Sequence, residues 1–351
     1  MRKFIFALMA AVLSCSSVSA FWQEAAESSL EFGVGYRRDN IEFKREFGGC
    51  DSSSSDCYSS SSYSSNDSGK SKSKLKLKDL DIWLIEGRGK YVTCDNIYLR
   101  GSVDYGWITS GKIKNTFEFE GERESFNASF DSNGHHIKGN VWDGKIALGY
   151  QFKWCDEAMT LSPVIGYGWN GHEFRNGNHD DYSSSSYDYS SCSSYLYSSD
   201  SSNYYSSGDH HKITQRWVGP FIGIDLEYRV CCDWNLFAGY EYHWADYHAK
   251  QKHADGFDFR GNTCDDSDIH IHGSDAWGNV FNIGVKWDLC DCWTVGLRGE
   301  FQWWEAHNAR ERRKLCSDSR CGTGIDVVMK TKVKDITWNS SSIVLDLGMV
   351  F

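Results

Sequence analysis

Residues 343–351 read Ile-Val-Leu-Asp-Leu-Gly-Met-Val-Phe, so that Ile343, Leu345, Leu347, Met349 and the final Phe351 alternate with Val344, Asp346, Gly348 and Val350. Side chains two apart share one face of a strand, and this strand has one wholly apolar face that runs to the last residue. The texture recurs upstream. Trp293, Val295, Leu297, Phe301 and Trp303 oppose Thr294, Gly296, Arg298, Glu300 and Gln302, while Phe281, Ile283, Val285, Trp287 and Leu289 oppose Asn282, Gly284, Lys286 and Asp288. Leu236, Ala238, Tyr240, Tyr242 and Trp244 oppose Phe237, Gly239, Glu241 and His243. Val218, Ile222, Ile224, Leu226, Tyr228 and Val230 oppose Gly219, Gly223, Asp225, Glu227 and Arg229. Pro220 in that run lacks a ladder donor and predicts a bulge or a place above the closed wall.

The first half reads the same way: residues 161–169, then Ile146, Leu148, Tyr150, Phe152 and Trp154 against Lys145, Gln151 and Lys153, then Ile97, Leu99, Val103, Tyr105 and Trp107 against Arg100, Ser102, Asp104 and Gly106. Leu30, Phe32, Val34 and Tyr36 begin the first strand, and the second carries lysines at 70, 72, 74, 76 and 78 in phase with Leu80, Ile82 and Leu84. Ten strands result, joined alternately by four tight turns and five long polar segments at about 48–73, 111–136, 171–209, 250–273 and 305–334. An even count with both chain ends on the tight-turn side predicts an all-β fold, a ten-stranded antiparallel transmembrane β-barrel with long external loops. No 18-residue apolar run exists for a membrane-spanning helix, and only closed pairing would satisfy strand backbones in lipid. Tyr150, Trp154, Tyr167, Trp169, Tyr228, Trp244, Trp287, Trp293 and Trp303 fall toward strand ends, as an aromatic girdle would. A soluble sandwich would not explain Lys, Arg, Asp and Glu on the non-apolar face of strand after strand.

Arg2 and Lys3, the apolar residues 4–13 and Val18-Ser19-Ala20 predict a secretory signal over 1–20, leaving one barrel domain over 21–351. Cys15 sits in an imperfect lipobox, which leaves a lipid-anchored product as an alternative. Without Arg2 and Lys3, 35 basic side chains face 48 acidic ones, a net charge near −13 that does not support a basic groove for nucleic acid. Of 13 cysteines, Cys50, Cys57, Cys192, Cys264, Cys316 and Cys321 fall in long polar segments and Cys94, Cys155, Cys231, Cys232, Cys290 and Cys292 at tight turns. An exported chain can oxidise them within or between molecules. Cys231-Cys232 and Cys290-Asp291-Cys292 each lack a second pair at zinc spacing, so neither metal nor cofactor is expected.

The inward, lumen-lining set is Arg100, Asp104, Lys145, Lys153, Asp225, Glu227, Arg229, Glu241, Lys286, Asp288, Arg298 and Glu300. Both signs are mixed along it, and ten strands leave a narrow lumen at best, which favours interlocked ion pairs over a selective pore. If the second strand is regular, Lys72, Lys74, Lys76 and Lys78 stand outward above the lipid-facing band and meet lipopolysaccharide phosphates; a solvated edge that discourages aggregation is the alternative.

A chain ending in its own closing strand with a terminal Phe resembles bacterial outer-membrane β-barrels, in which that residue is part of the insertion signal. Pro220-Phe221-Ile222-Gly223-Ile224 with Tyr228-Arg229, and Ile165-Gly166-Tyr167, resemble the omptins, ten-stranded outer-membrane endopeptidases. The resemblance implies an Asp-His pair facing an Asp pair across the outer rim. Asp246-Tyr247-His248 has the Asp-x-His spacing but shares outward parity with Trp244, Asp268 and His270 are an alternative predicted to face inward, and no opposing aspartate pair is found in 111–134. The cysteine content resembles the cysteine-rich outer-membrane proteins of chlamydia-like bacteria, whose envelopes use disulfide cross-links and whose barrels include porins. The expected function is therefore a porin-like or structural surface protein of the cell outer membrane, passing small hydrophilic solutes or linked by disulfides to envelope partners. An omptin-type aspartyl endopeptidase and an adhesin using the Tyr/Ser-rich loops are the alternatives.

Overall fold

A computed structural model of the chain describes residues 25–47, 70–120, 125–131, 137–155, 158–176, 212–231, 233–252, 257–259, 262–264, 269–290, 292–315 and 327–351. Ten antiparallel staves close into a barrel. In chain order they are β1 (Ala25–Phe47), β2 (Lys70–Thr93), β3 (Ile97–Glu120), β5 (Ile137–Tyr150) continued by β6 (Phe152–Trp154), β7 (Met159–Asn176), β8 (Lys212–Cys231), β9 (Trp234–Lys252), β12 (Ile269–Cys290), β13 (Trp293–Leu315) and β14 (Val327–Val350). The short β4 (Ser125–Asp131) extends the wall beside the outer end of β3, and β10 (Phe257–Phe259) pairs with β11 (Asn262–Cys264) apart from it. Each stave pairs with its neighbour in sequence, and β14 returns to β1 from Ser29↔Val350 outward to Glu46↔Lys332.

Closure follows from the alternation. Val34, Trp83, Val103, Ile146, Ile165, Ile222, Ile283, Phe301, Ile343 and Leu345 are exposed on the outer face, where hydrocarbon replaces water. The girdle aromatics Tyr150, Trp154, Tyr167, Tyr228, Trp244, Trp287, Trp293 and Trp303 are each about half exposed on that face. The last residue is held at the tight-turn end, its amide donating to the Ser28 carbonyl at 2.9 Å and its own carbonyl accepting from Ser28 Oγ at 3.3 Å. The ladder between β8 and β9 skips Gly219 and Pro220, as a residue without an amide hydrogen requires. A Cβ on Gly219 would lie 1.9 Å from the Trp244 carbonyl, so only glycine fits there.

Three expectations change. The walls run further outward than the apolar alternation marks: strand continues through 111–120, 269–273, 305–315 and 327–334. Leu80, Ile82 and Leu84, expected to face lipid in phase with the lysines, are buried inside. The cause is an irregularity where Asp79 adopts φ 50° and its amide is held by Asn40 Oδ1 at 3.1 Å, which lets Lys76 and Leu80 take opposite faces despite equal parity. A register shift between Gly273 and Ala276 likewise reverses the outer end of β12.

The interior is layered. Toward the outer end, Trp217, Tyr247, Trp304 and Trp338 pack together with Ile41, Leu77, Ile82 and Ile336, and all eight are 2% exposed or less. Trp304 stacks on Trp338 with centroids 5.6 Å apart, and Trp217 lies 4.5 Å from Tyr247. Charged residues fill the middle, and Val92, Tyr98, Ala147, Val164 and Phe221 form a smaller cluster nearer the tight turns. Replacing Trp338 by Ala removes the centre of the outer plug and should cost about 3–5 kcal/mol in urea unfolding of the refolded barrel.

Candidate functional site

Because every second residue of each stave points inward, ten short rows of polar side chains converge within the barrel. Arg37 Nε is 2.8 Å from Asp39 Oδ1, and its Nη1 pairs with Asp143. His172 Nε2 lies 3.0 Å from Asp39 Oδ2, Gln215 is 3.3 Å from His172 Nδ1, and Tyr247 donates to Gln215 at 3.2 Å. The Arg37 guanidinium sits 5.2 Å over Trp338, so this group and the aromatic plug form one body.

A second network lies below it. Arg100 pairs with Glu241 at 2.7 Å and Asp225 at 2.8 Å, while Lys145 reaches Glu241 at 3.4 Å and Glu300 at 3.6 Å. Glu241 also meets His243 Nε2 at 2.9 Å. Arg298 pairs with Glu86 and lies 3.5 Å from Asp346. Nearer the turns, Lys286 pairs with Glu31, and Lys90 bridges Glu27 and Glu227 at 2.7 and 2.8 Å. Small hollows lie within these networks: a cavity of about 50 Å³ among Glu31, Arg88, Lys90, Asp225 and Lys286, and one of about 10 Å³ beside Asp104, Asp143, Lys145 and Glu300. The second has room for about one water.

Of the residues expected inside, Arg100, Asp104, Lys145, Asp225, Glu227, Glu241, Lys286, Arg298 and Glu300 are brought together there. Asp288, half-buried, accepts from Asn235 at 3.0 Å near the turns; Lys153 is half-buried and Arg229 exposed at the same rim. Sequence reasoning missed Arg37, Asp39, Glu86, Asp143, His172 and Gln215, and the inward Trp217, Tyr247, Trp304 and Trp338. Parity carried outward past the girdle residues would have found the four aromatics, since each is out of phase with its lipid-facing neighbours.

The described protease candidates gather on the outer face of β9 and β12 and not at the mouth of the lumen. Asp246 is exposed on the outer face, and His248 lies beside it above Trp244. His270, expected inward, is exposed outward with His272, because the irregularity after Gly273 reverses parity; Ile269 and Ile271 are buried instead. Asp268 lies outside the described residues. Lys74 and Lys76 each pair with Glu42 at 2.9 Å on the outer face; Lys72 is half-buried and Lys78 exposed. Desolvation opposes ionisation of Glu42, but hydrogen bonds from Lys74 and Lys76 outweigh it and hold its carboxyl below the usual range. His248, beyond the girdle, is pushed below the ordinary histidine range by burial, by His272 at a 4.3 Å ring separation and by Arg216. Among the described residues no group of three or more His, Cys, Asp or Glu is arranged to hold a metal. Cys94, Cys155, Cys231, Cys290 and Cys292 are exposed at the tight-turn rim.

Residues 31–351 match the sequence profile of the Pom family, Protochlamydia outer membrane proteins. The chain belongs to that family. This chain is thus a closed barrel of the outer membrane, a class in which the short turns face the periplasm. The outer membrane protease OmpT of Escherichia coli has a similar fold, with a TM-score of 0.59 at 12% identity over 93% of this chain and 97% of that one. At that identity the likeness is one of fold. The translocator domain of the autotransporter NalP of Neisseria meningitidis is more distant, at a TM-score of 0.34 and 10% identity over 98% of this chain and 96% of that one. No curated protein sequence matches the chain.

Two results are expected from these contacts. Arg298→Ala leaves Asp346 buried without its cationic partner and Glu86 with Arg88 alone, at 3.4 Å, and should cost about 3–5 kcal/mol in urea unfolding, whereas Arg229→Ala at the rim should cost under about 1 kcal/mol. His248 should titrate below 6.5 by NMR, and upward of its wild-type value in His272→Ala. Since the folded chain holds that proton less tightly than the unfolded one, His248 subtracts stability as pH falls through about 6.5.

Proposed function

We propose that this protein is a structural surface barrel of the outer membrane whose lumen is shut, and whose periplasmic-rim cysteines brace it or link it to thiol-bearing envelope partners. The observation that carries this is the filled interior: an aromatic plug above two interlocked charge networks, with cavities of about 50 and 10 Å³ between them. A hydrated solute cannot pass without parting buried ion pairs, each of which costs several kcal/mol to leave unpaired. Passage of small hydrophilic solutes is the second reading, favoured by the charged residues Glu31, Arg88, Lys90, Asp225 and Lys286 around the cavity of the periplasmic half, and it requires the plug to move. The described candidates for an omptin-type peptidase, Asp246, His248 and His270, face outward, which is why the structural reading is preferred here. An export signal over 1–20, which lies outside the described residues, would deliver the chain to the envelope, and the outward lysines from Lys72 to Lys78 suit contact with lipopolysaccharide.

The placement of the described turn cysteines supports the linking role. All five are exposed on the one rim that meets the periplasm, where a thiol partner can reach them.

Refolded, oxidised protein in a planar bilayer should show no discrete conductance at moderate voltage, and a variant combining Arg298→Ser, Glu300→Ser and Trp338→Ala should show steps if it folds. Steps from the unaltered protein would overturn the shut lumen. Intact envelopes run without reductant should give high-mass species that disappear with dithiothreitol and are weakened in Cys290→Ser/Cys292→Ser; their absence would remove the linking role.

A further inference from the structure

A hollow lies on the outer wall of the barrel. Across the outer faces of β12, β13, β14 and β1 a groove of about 400 Å³ has walls of Phe281, Phe301 and Trp303 on one side and Arg38 on the other, over a floor of Asn339 and Ser341. Register puts these residues side by side: Phe281↔Phe301, Phe301↔Ser341, Trp303↔Asn339 and Arg38↔Ser341. Ser341 makes the hollow because it is small between large neighbours. On the same face, Ile343, Leu345 and Leu347 continue below as the lipid-facing band, while Asp335 and Lys44 lie above, so the groove straddles the boundary between hydrocarbon and headgroups.

Its chemistry is unlike the wall on either side. Phe281, Phe301 and Trp303 are 43%, 55% and 47% exposed, and Trp303 is steadied edge-on by Trp277 at 5.4 Å. Arg38 is fixed through Nε and Nη2 by Asp81 and by the Tyr36 hydroxyl, each at 3.0 Å. Asn279 is steadied by Tyr240, which donates to its Oδ1 at 2.6 Å. Bare acyl chains would leave the Asn339 amide, the Ser341 hydroxyl and the remaining Arg38 N–H groups facing hydrocarbon, and bulk water would leave its three aromatic rings uncovered. Flat aromatic faces beside amide and guanidinium donors suit a ligand with both apolar ring faces and hydroxyl or phosphate oxygens. The volume matches that of ordinary small-molecule sites.

We propose that this groove seats the phosphorylated sugar headgroup of one outer-leaflet glycolipid, with a sugar ring against Trp303 and Phe301, a phosphate or hydroxyl on Arg38 and the acyl chains running down over Ile343 and Leu345. The assignment does not depend on whether the lumen conducts. It is distinct from the lysine row of β2, since Ser341 and Trp303 belong to other staves.

The test uses the full refolded chain in nanodiscs of phosphatidylcholine with a trace of a synthetic diphosphorylated disaccharide glycolipid, read by native mass spectrometry and by Trp fluorescence. Wild type should retain one glycolipid at least 10-fold over phosphatidylcholine. Ser341→Trp, which fills the hollow from the outside, and Arg38→Ala should lose that preference while keeping the wild-type heat-modified gel mobility of a folded barrel. Equal retention by wild type and both folded variants would overturn the site. So would equally tight binding of the free, unacylated disaccharide phosphate, or a cross-linked dimer through Ser341→Cys that excludes the lipid. If Ser341→Trp fails to fold, Asn339→Leu together with Arg38→Ala decides the same question.

Discussion

A strand in hydrocarbon has no water to satisfy its amides and carbonyls, so every stave must find a neighbour on both sides. The pairing of β14 with β1 meets that demand for the whole sheet. At the tight-turn end of that seam the Phe351 amide and carbonyl are tied to Ser28. Once ten staves close, the circumference is set, and the interior is narrow enough for side chains from opposite walls to touch.

That narrowness turns an inward face that could line water into a packed one. Arg37 reaches Asp143 and Arg298 reaches Glu86 across the lumen, and Trp304 and Trp338 stack above them. A buried ion pair adds little stability over an apolar one of the same shape but is costly to break, so these networks act chiefly to hold one arrangement. Charge below and aromatics above divide the interior between two kinds of packing, and Arg37 over Trp338 joins them. The outer face has a matching division, apolar in the band and polar above it, with the groove over Ser341 at the boundary.

The outer third of the wall is where reading by parity fails. Below the girdle the alternation is regular, and Glu241, Arg298 and Glu300 are inside as their positions indicate. Above it, Asp79 in a left-handed conformation and the shift after Gly273 each reverse the phase, which turned Leu80 inward and His270 outward. One extra residue in a strand moves every following side chain to the other face, and neither irregularity has a clear signal in composition. The candidate Asp-His pairs lay in that region.

The sequence alone determined the fold class, the number of staves, the tight-turn ends and most of the charged lining, because a period of two with one apolar face has few solutions in a membrane. Tertiary structure decided which of those inward charges pair with which, that four large aromatics close the outer half, and that a hollow opens over Ser341. Those depend on distances between staves far apart in the chain, which a period along one strand does not contain.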